Sequence, residues 1–312
     1  MHHDQTINIV TGGTGFLGSN LIKKLIEKDE FVYCVDNQIS GDLSNVKEFF
    51  KNKRFKFLKQ DIRKELDIYA DKIWNFASIA SPHYYMKYPI ETLETGFIGT
   101  NNLVKLAVKN NSLFFFPSSS EIYGNPLVNP QKEEYFGNLN SFGPRACYAE
   151  SKRIGETICF EYQKNFGLKL RIARIFNTYG PKTSIKDGRV ISKFICQALK
   201  GEKISIFGSG KQTRSFCFVD DLVDGILSLI ESDYSQPINL GNPHEISILE
   251  LSDLIINLIN PSIKVFFLKE MLEEPKKRKP SIELAKKVLN WEPKTNLKEG
   301  LGITIEYLKN KV

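Results

Sequence analysis

Cysteine is scarce in this chain. Five cysteines are scattered over 312 residues, at Cys34, Cys147, Cys159, Cys196 and Cys217, with no CxxC pair. So few, in odd number, exclude a disulfide scaffold. Cys34, Cys159, Cys196 and Cys217 sit among apolar residues and read as reduced core positions. Long apolar runs are also missing. No stretch approaches the roughly 18 residues of a membrane span. The first residues, Met1 to Gln5, lack the apolar core of a secretory signal, so the expected location is the cytoplasm. The sequence has no zinc-ligand spacing, no repeat of about 20–50 residues and no low-complexity segment, and no metal is expected. Charge of one sign is weak as well, with a net +7 spread along the chain. The densest basic run, Lys276-Lys277-Arg278-Lys279, reads as a solvated face or a phosphate-ligand site. No nucleic-acid or membrane partner is expected; an anionic small molecule suits the charge.

What is present is ordinary globular material, 41% hydrophobic and 25% charged, enough for one large or two modest domains. The first 180 residues alternate strand-like and helix-like runs. Ile7–Thr11, Phe31–Val35, Phe55–Leu58, Ile73–Ala77, Leu113–Phe116 and Leu170–Ile175 are β-rich. Phe16–Lys28, Ile90–Lys109 and Pro144–Phe166 have a helical period. This rhythm predicts an α/β fold, a Rossmann-type doubly wound parallel sheet with right-handed crossovers. After Gly180-Pro181 the rhythm changes. Short strands such as Ile204–Phe207 alternate with helices at Val219–Glu231, Ile248–Ile259 and Ser281–Leu289. The expected division is a dinucleotide-binding domain over 1–180, with the segment about 216–241 returning to it. Residues 181–215 and 242–312 would form a smaller C-terminal α/β substrate lobe.

Between the first strand and first helix lies Gly12-Gly13-Thr14-Gly15-Phe16-Leu17-Gly18. Glycines 12, 15 and 18 permit a tight turn and close backbone approach to a pyrophosphate, which the helix N-terminus attracts with free N–H groups and positive dipole. Asp36 ends the second strand, where a carboxylate accepts hydrogen bonds from an adenine-ribose diol and repels a 2′-phosphate. The cofactor is therefore expected to be NAD and not NADP.

Tyr148-Ala149-Glu150-Ser151-Lys152 puts a phenol and an ammonium on one helix face, about 6 Å apart along the axis. A nearby cation lowers a phenol's pKa and makes the phenolate reachable as a base. Such a pair is weak alone, and the chain has a second, Tyr307–Lys311, which reads as coincidence. Tyr148 and Lys152 differ because they follow, by one strand-helix step, Ser118-Ser119-Ser120-Glu121 at the end of a predicted central strand. Ligands in open α/β sheets bind at that edge.

The glycine loop, Asp36, the Ser118–Gly124 segment and Tyr148/Lys152 together resemble the extended short-chain dehydrogenase/reductase family acting on nucleotide sugars. The likeness covers nearly the whole chain. Within the family it is nearest the UDP-glucuronate decarboxylase branch, through Gly143–Tyr148, Ala173–Pro181, Asp187–Val190, Gly210–Phe216, Asn239–Pro243 and Arg278–Ile282. The resemblance implies Tyr148 as the base at a sugar C4 hydroxyl, Lys152 holding the nicotinamide ribose and lowering the Tyr148 pKa, Ser119 on the C4 oxygen, and Ser120 and Glu121 assisting later steps. It implies a cofactor set of Gly12, Gly15, Phe16, Leu17, Gly18, Asp36, Asn37, Asp61, Ile62, Ala77, Ser78, Thr95 and Ser118 with Tyr148 and Lys152. It implies a substrate set of Tyr85, Glu94, Asn177, Arg189, Val190, Phe207, Arg214 and Arg278, with a UDP- or GDP-linked sugar as the partner molecule. It also implies a homodimer, or a homotetramer built on it, through Ile90–Lys109 and Pro144–Phe166.

Two positions depart from the branch. Glu94 stands before Thr95 where the decarboxylases carry a sugar-contacting lysine, and Thr95-Gly96-Phe97-Ile98-Gly99-Thr100 replaces the usual Thr-Asn ahead of Gly-Thr. An acid facing the sugar would oppose a substrate carboxylate by about 1–2 kcal/mol, roughly tenfold in affinity. The sequence thus leaves two enzymes open, a UDP-glucuronate decarboxylase and a C4 dehydrogenase or 4-epimerase of another UDP- or GDP-linked hexose or heptose. A 4,6-dehydratase fits less well, since that group has Asp where this chain has Ser120. A non-catalytic dinucleotide-binding protein is the third reading, opposed by the intact Ser119/Tyr148/Lys152 set.

Overall fold

The computed structural model describes residues 5–269 and 277–312. Met1 to Asp4, and Lys276 of the basic run, lie outside the described residues. Six strands, β1 (Ile7–Thr11), β2 (Phe31–Asp36), β3 (Phe55–Lys59), β4 (Lys72–Asn75), β5 (Leu113–Ser119) and β6 (Lys169–Ile175), join a seventh, Pro237–Leu240, in one sheet. Its order is seventh–β6–β5–β4–β1–β2–β3, and every pairing is parallel. The chain winds outward from β1 to β3 and then outward from β4 in the other direction. The crevice at that reversal, at the carboxyl ends of β1 and β4, is where such sheets bind ligands.

Strand periodicity explains why the sheet is buried on both faces. Ile9, Ile73, Phe114 and Phe116 face one core, against Leu103, Val104 and Ile158. Val10, Trp74 and Phe115 face the other, against Leu21, Ile22, Leu222 and Ile226. Continuous apolar runs such as Leu113–Phe116 are the mark of a strand covered on both sides. The helices before residue 180 are α1 (Phe16–Glu27), α2 (Pro82–Lys87), α3 (Pro89–Glu94), α4 (Thr100–Asn110) and α5 (Ala146–Phe166), of which α1, α4 and α5 cover the sheet. The expected helix over 90–109 is interrupted by a π turn, Thr95–Gly99. Two glycines allow its tight packing: a Cβ on Gly96 would lie 2.5 Å from Ser151 Cβ, and one on Gly99 2.5 Å from Ile62 Cδ1.

Beyond residue 180 the elements are α6 (Val190–Leu199), α7 (Val219–Glu231), α8 (Ile248–Ile259), α9 (Glu283–Leu289) and α10 (Leu297–Lys309), with short strand pairs between them. The sequence reading omitted α6 and α10. Both carried a signal: Ile191, Phe194, Ile195 and Ala198 have helical spacing and are buried, and Asn296 caps Glu299 N–H at 2.9 Å. Phe194, Ile206, Phe216, Leu251, Ile255 and Leu301 close a third core. The expected lobe segment 242–312 is divided by its packing. Ile282, Ala285 and Trp291 pack with α7 into the core of Val10, Trp74 and Phe115, whereas α8 and α10 build the third. No helix among the described residues is long and apolar enough to cross a membrane.

Candidate active site

At the end of β1 the chain turns back sharply. Gly12 has φ +65°, and a Cβ there would lie 2.5 Å from the Phe76 carbonyl carbon. A Cβ on Gly18 would lie 2.4 Å from Gly12 O. Glycine is required at both positions, the first for its left-handed backbone and the second for close approach. Gly15 begins α1 without a side-chain cap, so the first-turn N–H groups face the crevice. Asp36, 7% exposed, accepts from Thr14 N (3.0 Å) and Gln38 N (2.7 Å), which holds its carboxylate beneath the loop. Two buried hydroxyls beside the crevice, Thr14 Oγ1 and Ser118 Oγ, have no hydrogen-bond partner among the described residues. A cradle that excludes Cβ atoms, an uncapped helix end and two unpartnered hydroxyls fit a dinucleotide.

Two adjoining cavities open on this loop, of about 430 and about 70 Å³. Asp36, Asn37, Asp61, Ile62, Ala77 and Thr95 line the smaller, and Gly12, Gly15 and Ser78 line both. Phe16, Leu17, Gly18, Ser118, Ser119, Ser120, Glu121, Tyr148 and Lys152 line the larger, as do Tyr85, Asn177, Arg189, Val190, Phe207, Arg214 and Arg278. Glu94 is the one expected site residue that reaches neither. Its carboxylate lies 2.5 Å from Arg63 Nη1. Glu94, placed by the resemblance in the substrate set, is thus engaged by Arg63 and lines neither cavity.

Tyr148, on the first turns of α5, is 9% exposed and stacks on Tyr85 with ring centroids 5.4 Å apart. Lys152 follows one turn later. Its ammonium donates to Pro117 O at 2.8 Å and sits 5.8 Å from the Tyr148 ring centre. Besides Lys152, groups from other segments act on the phenol. Burial pushes the Tyr148 pKa up; a hydrogen bond with Ser119 and the charges of Arg189 and Arg278 pull against it, while Glu121 adds to the rise. Lys152 is itself buried, and burial lowers its pKa to about 8. The phenol is adjusted by groups from several segments.

Beyond Tyr148, Ser119 Oγ accepts from Glu121 N at 3.2 Å and caps the short 3₁₀ turn Ser120–Tyr123. The Glu121 carboxylate accepts from Arg278 through both oxygens, one of these contacts being Nη2–Oε2 at 3.1 Å, and lies 3.3 Å from Arg145 Nη2. Burial pushes the Glu121 pKa up, but Arg278, Arg145 and Arg214 outweigh it and hold the carboxyl at about 2. Arg278, read in the sequence as part of a basic run, is 4% exposed; its neighbour Lys279 lies 3.5 Å from Glu245. Arg189 lies 3.3 Å from Asp187, and Lys193 sits over the Phe207 ring at 4.6 Å. Lys182, Lys193 and Gln212 also line the cavity and were missed. Lys193 had a signal, standing one helical turn after Arg189 on the same face of α6.

Residues 8–241 match the NAD dependent epimerase/dehydratase family. The chain belongs to that family. It is an NAD-dependent enzyme of the extended short-chain dehydrogenase/reductase type. It is 45% identical to UDP-glucuronic acid decarboxylase 5 of Arabidopsis thaliana, over 96% of this chain and 88% of that protein. Among solved structures it resembles UDP-glucose 4-epimerase from Thermotoga maritima, with TM-score 0.90, 28% identity and coverage of 98% and 99% of the two chains. It also resembles UDP-glucuronic acid 4-epimerase from Bacillus cereus, in complex with UDP-glucuronic acid and NAD, with TM-score 0.88, 26% identity and coverage of 98% and 100%.

Proposed function

We propose that this enzyme decarboxylates UDP-glucuronate to UDP-xylose. The observation that carries the reading is the charge on the wall of the larger cavity. Arg145, Lys152, Lys182, Arg189, Lys193, Arg214 and Arg278 stand against only Asp42, Glu121 and Asp187. Glu94, the acid that would have opposed a carboxylate, is engaged with Arg63 away from that wall. A dianionic diphosphate and a sugar carboxylate suit such a site. The 45% identity to a UDP-glucuronic acid decarboxylase over nearly the whole chain supports the same reaction.

In this reading Gly12, Gly15, Phe16, Leu17, Gly18, Asp36 and their neighbours hold NAD, while Asn177, Arg189, Val190, Phe207 and Arg214 hold the nucleotide diphosphate. Tyr148 takes the proton of the C4 hydroxyl, and Ser119 hydrogen-bonds the same oxygen. NAD, which the Gly12–Gly18 turn and Asp36 would hold, would supply the hydride acceptor for C4 and the donor that restores it. The C4 ketone is β to the carboxylate. Carbon dioxide leaves with its bonding pair remaining on C5, and the charge spreads to the C4 oxygen, where Tyr148 and Ser119 donors stabilise it. C5 then takes a proton from water, and Tyr148 gives its proton back to the C4 oxygen when the hydride is restored. Glu121, held ionised, orients Arg278 and Arg145 and is no proton donor near neutral pH.

The resemblance to a UDP-glucuronic acid 4-epimerase favours a second reading, oxidation at the same carbon with the carboxylate retained. Incubation with a panel of UDP- and GDP-sugars and mass analysis of products separates them. Loss of carbon dioxide from UDP-glucuronate supports the first; an unchanged mass with inverted C4 supports the second. Conversion of a neutral sugar with UDP-glucuronate untouched overturns both.

We also infer at least a homodimer. Ile90, Leu93 and Phe97 repeat on one helical face and are 62%, 38% and 54% exposed, and Ile154 and Phe160 are exposed on the adjoining α5. Such a face calls for a partner. Light scattering that returned the single-chain mass of 35.7 kDa would end this idea.

A further inference from the structure

We propose that Glu94 and Arg63 form a clasp behind the smaller cavity, joining the segments that carry two of its walls, that tunes NAD affinity, and that Glu94 takes no part in choosing the sugar. The inference rests on the proposed reading, in which NAD occupies that cavity. Gln60, Asp61 and Ile62, which follow β3, make one wall, and Thr95, immediately after Glu94, stands on another. Arg63 spans the two. Its Nη2 lies 2.8 Å from Asp61 Oδ2, its Nε 3.1 Å from Asp61 Oδ1, and its Nη1 2.5 Å from Glu94. Asp61 also accepts from Asn37 Nδ2 at 2.9 Å, so its carboxylate is oriented from both sides of the cavity. These contacts keep Asp61 ionised, with its pKa drawn down to about 2, first by the Arg63 hydrogen bond.

Glu94 acts here as a positioning residue, through the guanidinium. The backbone has a separate anchor: Asn102 Nδ2 donates to Ile62 O at 3.1 Å and to Arg63 O at 3.0 Å. Changing Glu94 therefore leaves the loop in place and frees only one side of Arg63. Glu94 and Arg63 side chains are 42% and 29% exposed, so solvent screens the pair and the effect is a matter of a few-fold.

The test uses the full chain. NAD affinity is measured by fluorescence titration, and KM for UDP-glucuronate is measured at saturating NAD. Glu94→Gln is expected to weaken NAD about two- to fivefold, leaving that KM and the melting temperature unchanged. Glu94→Asp should recover part of the loss. Glu94→Lys, which sets two cations together, should weaken NAD about tenfold. Unchanged NAD affinity in Glu94→Gln and Glu94→Lys, or a shifted KM at saturating NAD, overturns the proposal. The titration reads NAD alone. An enzyme inert to UDP-glucuronate would sink the decarboxylase reading while leaving the clasp decided by NAD.

Discussion

At the cofactor end of the cavity, Gly12, Gly15 and Gly18 lie in one short turn between β1 and α1, and what they present is backbone. At the other end Arg189, Phe207, Arg214 and Arg278 arrive from separate segments, and what they present is charge and an aromatic face. The first kind of site fails when an atom is added. The second fails when a charge is removed, because Arg278 and Glu121 come from segments far apart in the chain and are held largely out of solvent against each other. Tyr148 sits where the two meet. Burial raises its pKa, and Ser119, Arg189, Glu121 and Arg278, all from other segments, act on it as well.

The largest effect is expected at that junction. Tyr148→Phe should lower turnover by about 10² to 10⁴ while NAD still binds; near-normal turnover would remove Tyr148 as the base. Next comes the charge-built end. Glu121 has a folded-state pKa of about 2 against an ordinary value of 4.5, so its stabilising effect is full above about pH 5 and fades as pH falls toward 2. Urea unfolding should show wild type more stable than Glu121→Gln by about 3 kcal/mol near neutral pH, with the gap narrowing on acidification. A gap independent of pH would break the argument. At the backbone-built end, Gly12→Ala should weaken NAD by about tenfold or more, since it costs about 1–3 kcal/mol in an unfavourable conformation and meets Phe76. Wild-type NAD affinity in that variant would show that the turn is not under the constraint described. The smallest effect belongs to Tyr307→Phe. The Tyr307 hydroxyl lies 3.3 Å from Asn45 Oδ1, remote in role from the Tyr148 pair. Stability should change by less than about 0.5 kcal/mol with turnover unaltered; a large loss of turnover would mean that the second Tyr-x-x-x-Lys pair is no coincidence.

Much of the layout was legible because its signals are local. The helices Val219–Glu231 and Ile248–Ile259 have the bounds that their apolar period predicts. The glycine spacing announced a turn, and Asp36 announced the end of β2. Where reading failed, the missing information was spatial. The π turn at Thr95–Gly99 depends on what Gly96 and Gly99 pack against. Residues 282–291 lie far along the chain and yet join the sheet core of Val10, Trp74 and Phe115.

The sequence by itself determined the alternating α/β rhythm, the glycine turn, Asp36, and a Tyr–Lys pair following a serine-rich strand end, since each depends on neighbours within one turn or one strand. Tertiary structure alone decided the direction of Glu94, the ionised state of Glu121 and the acidity of Tyr148. A charge in a folded chain is set by burial and by the charges that come within a few ångström, and here those belong to Arg63, Arg145, Arg189 and Arg278, which only folding brings near.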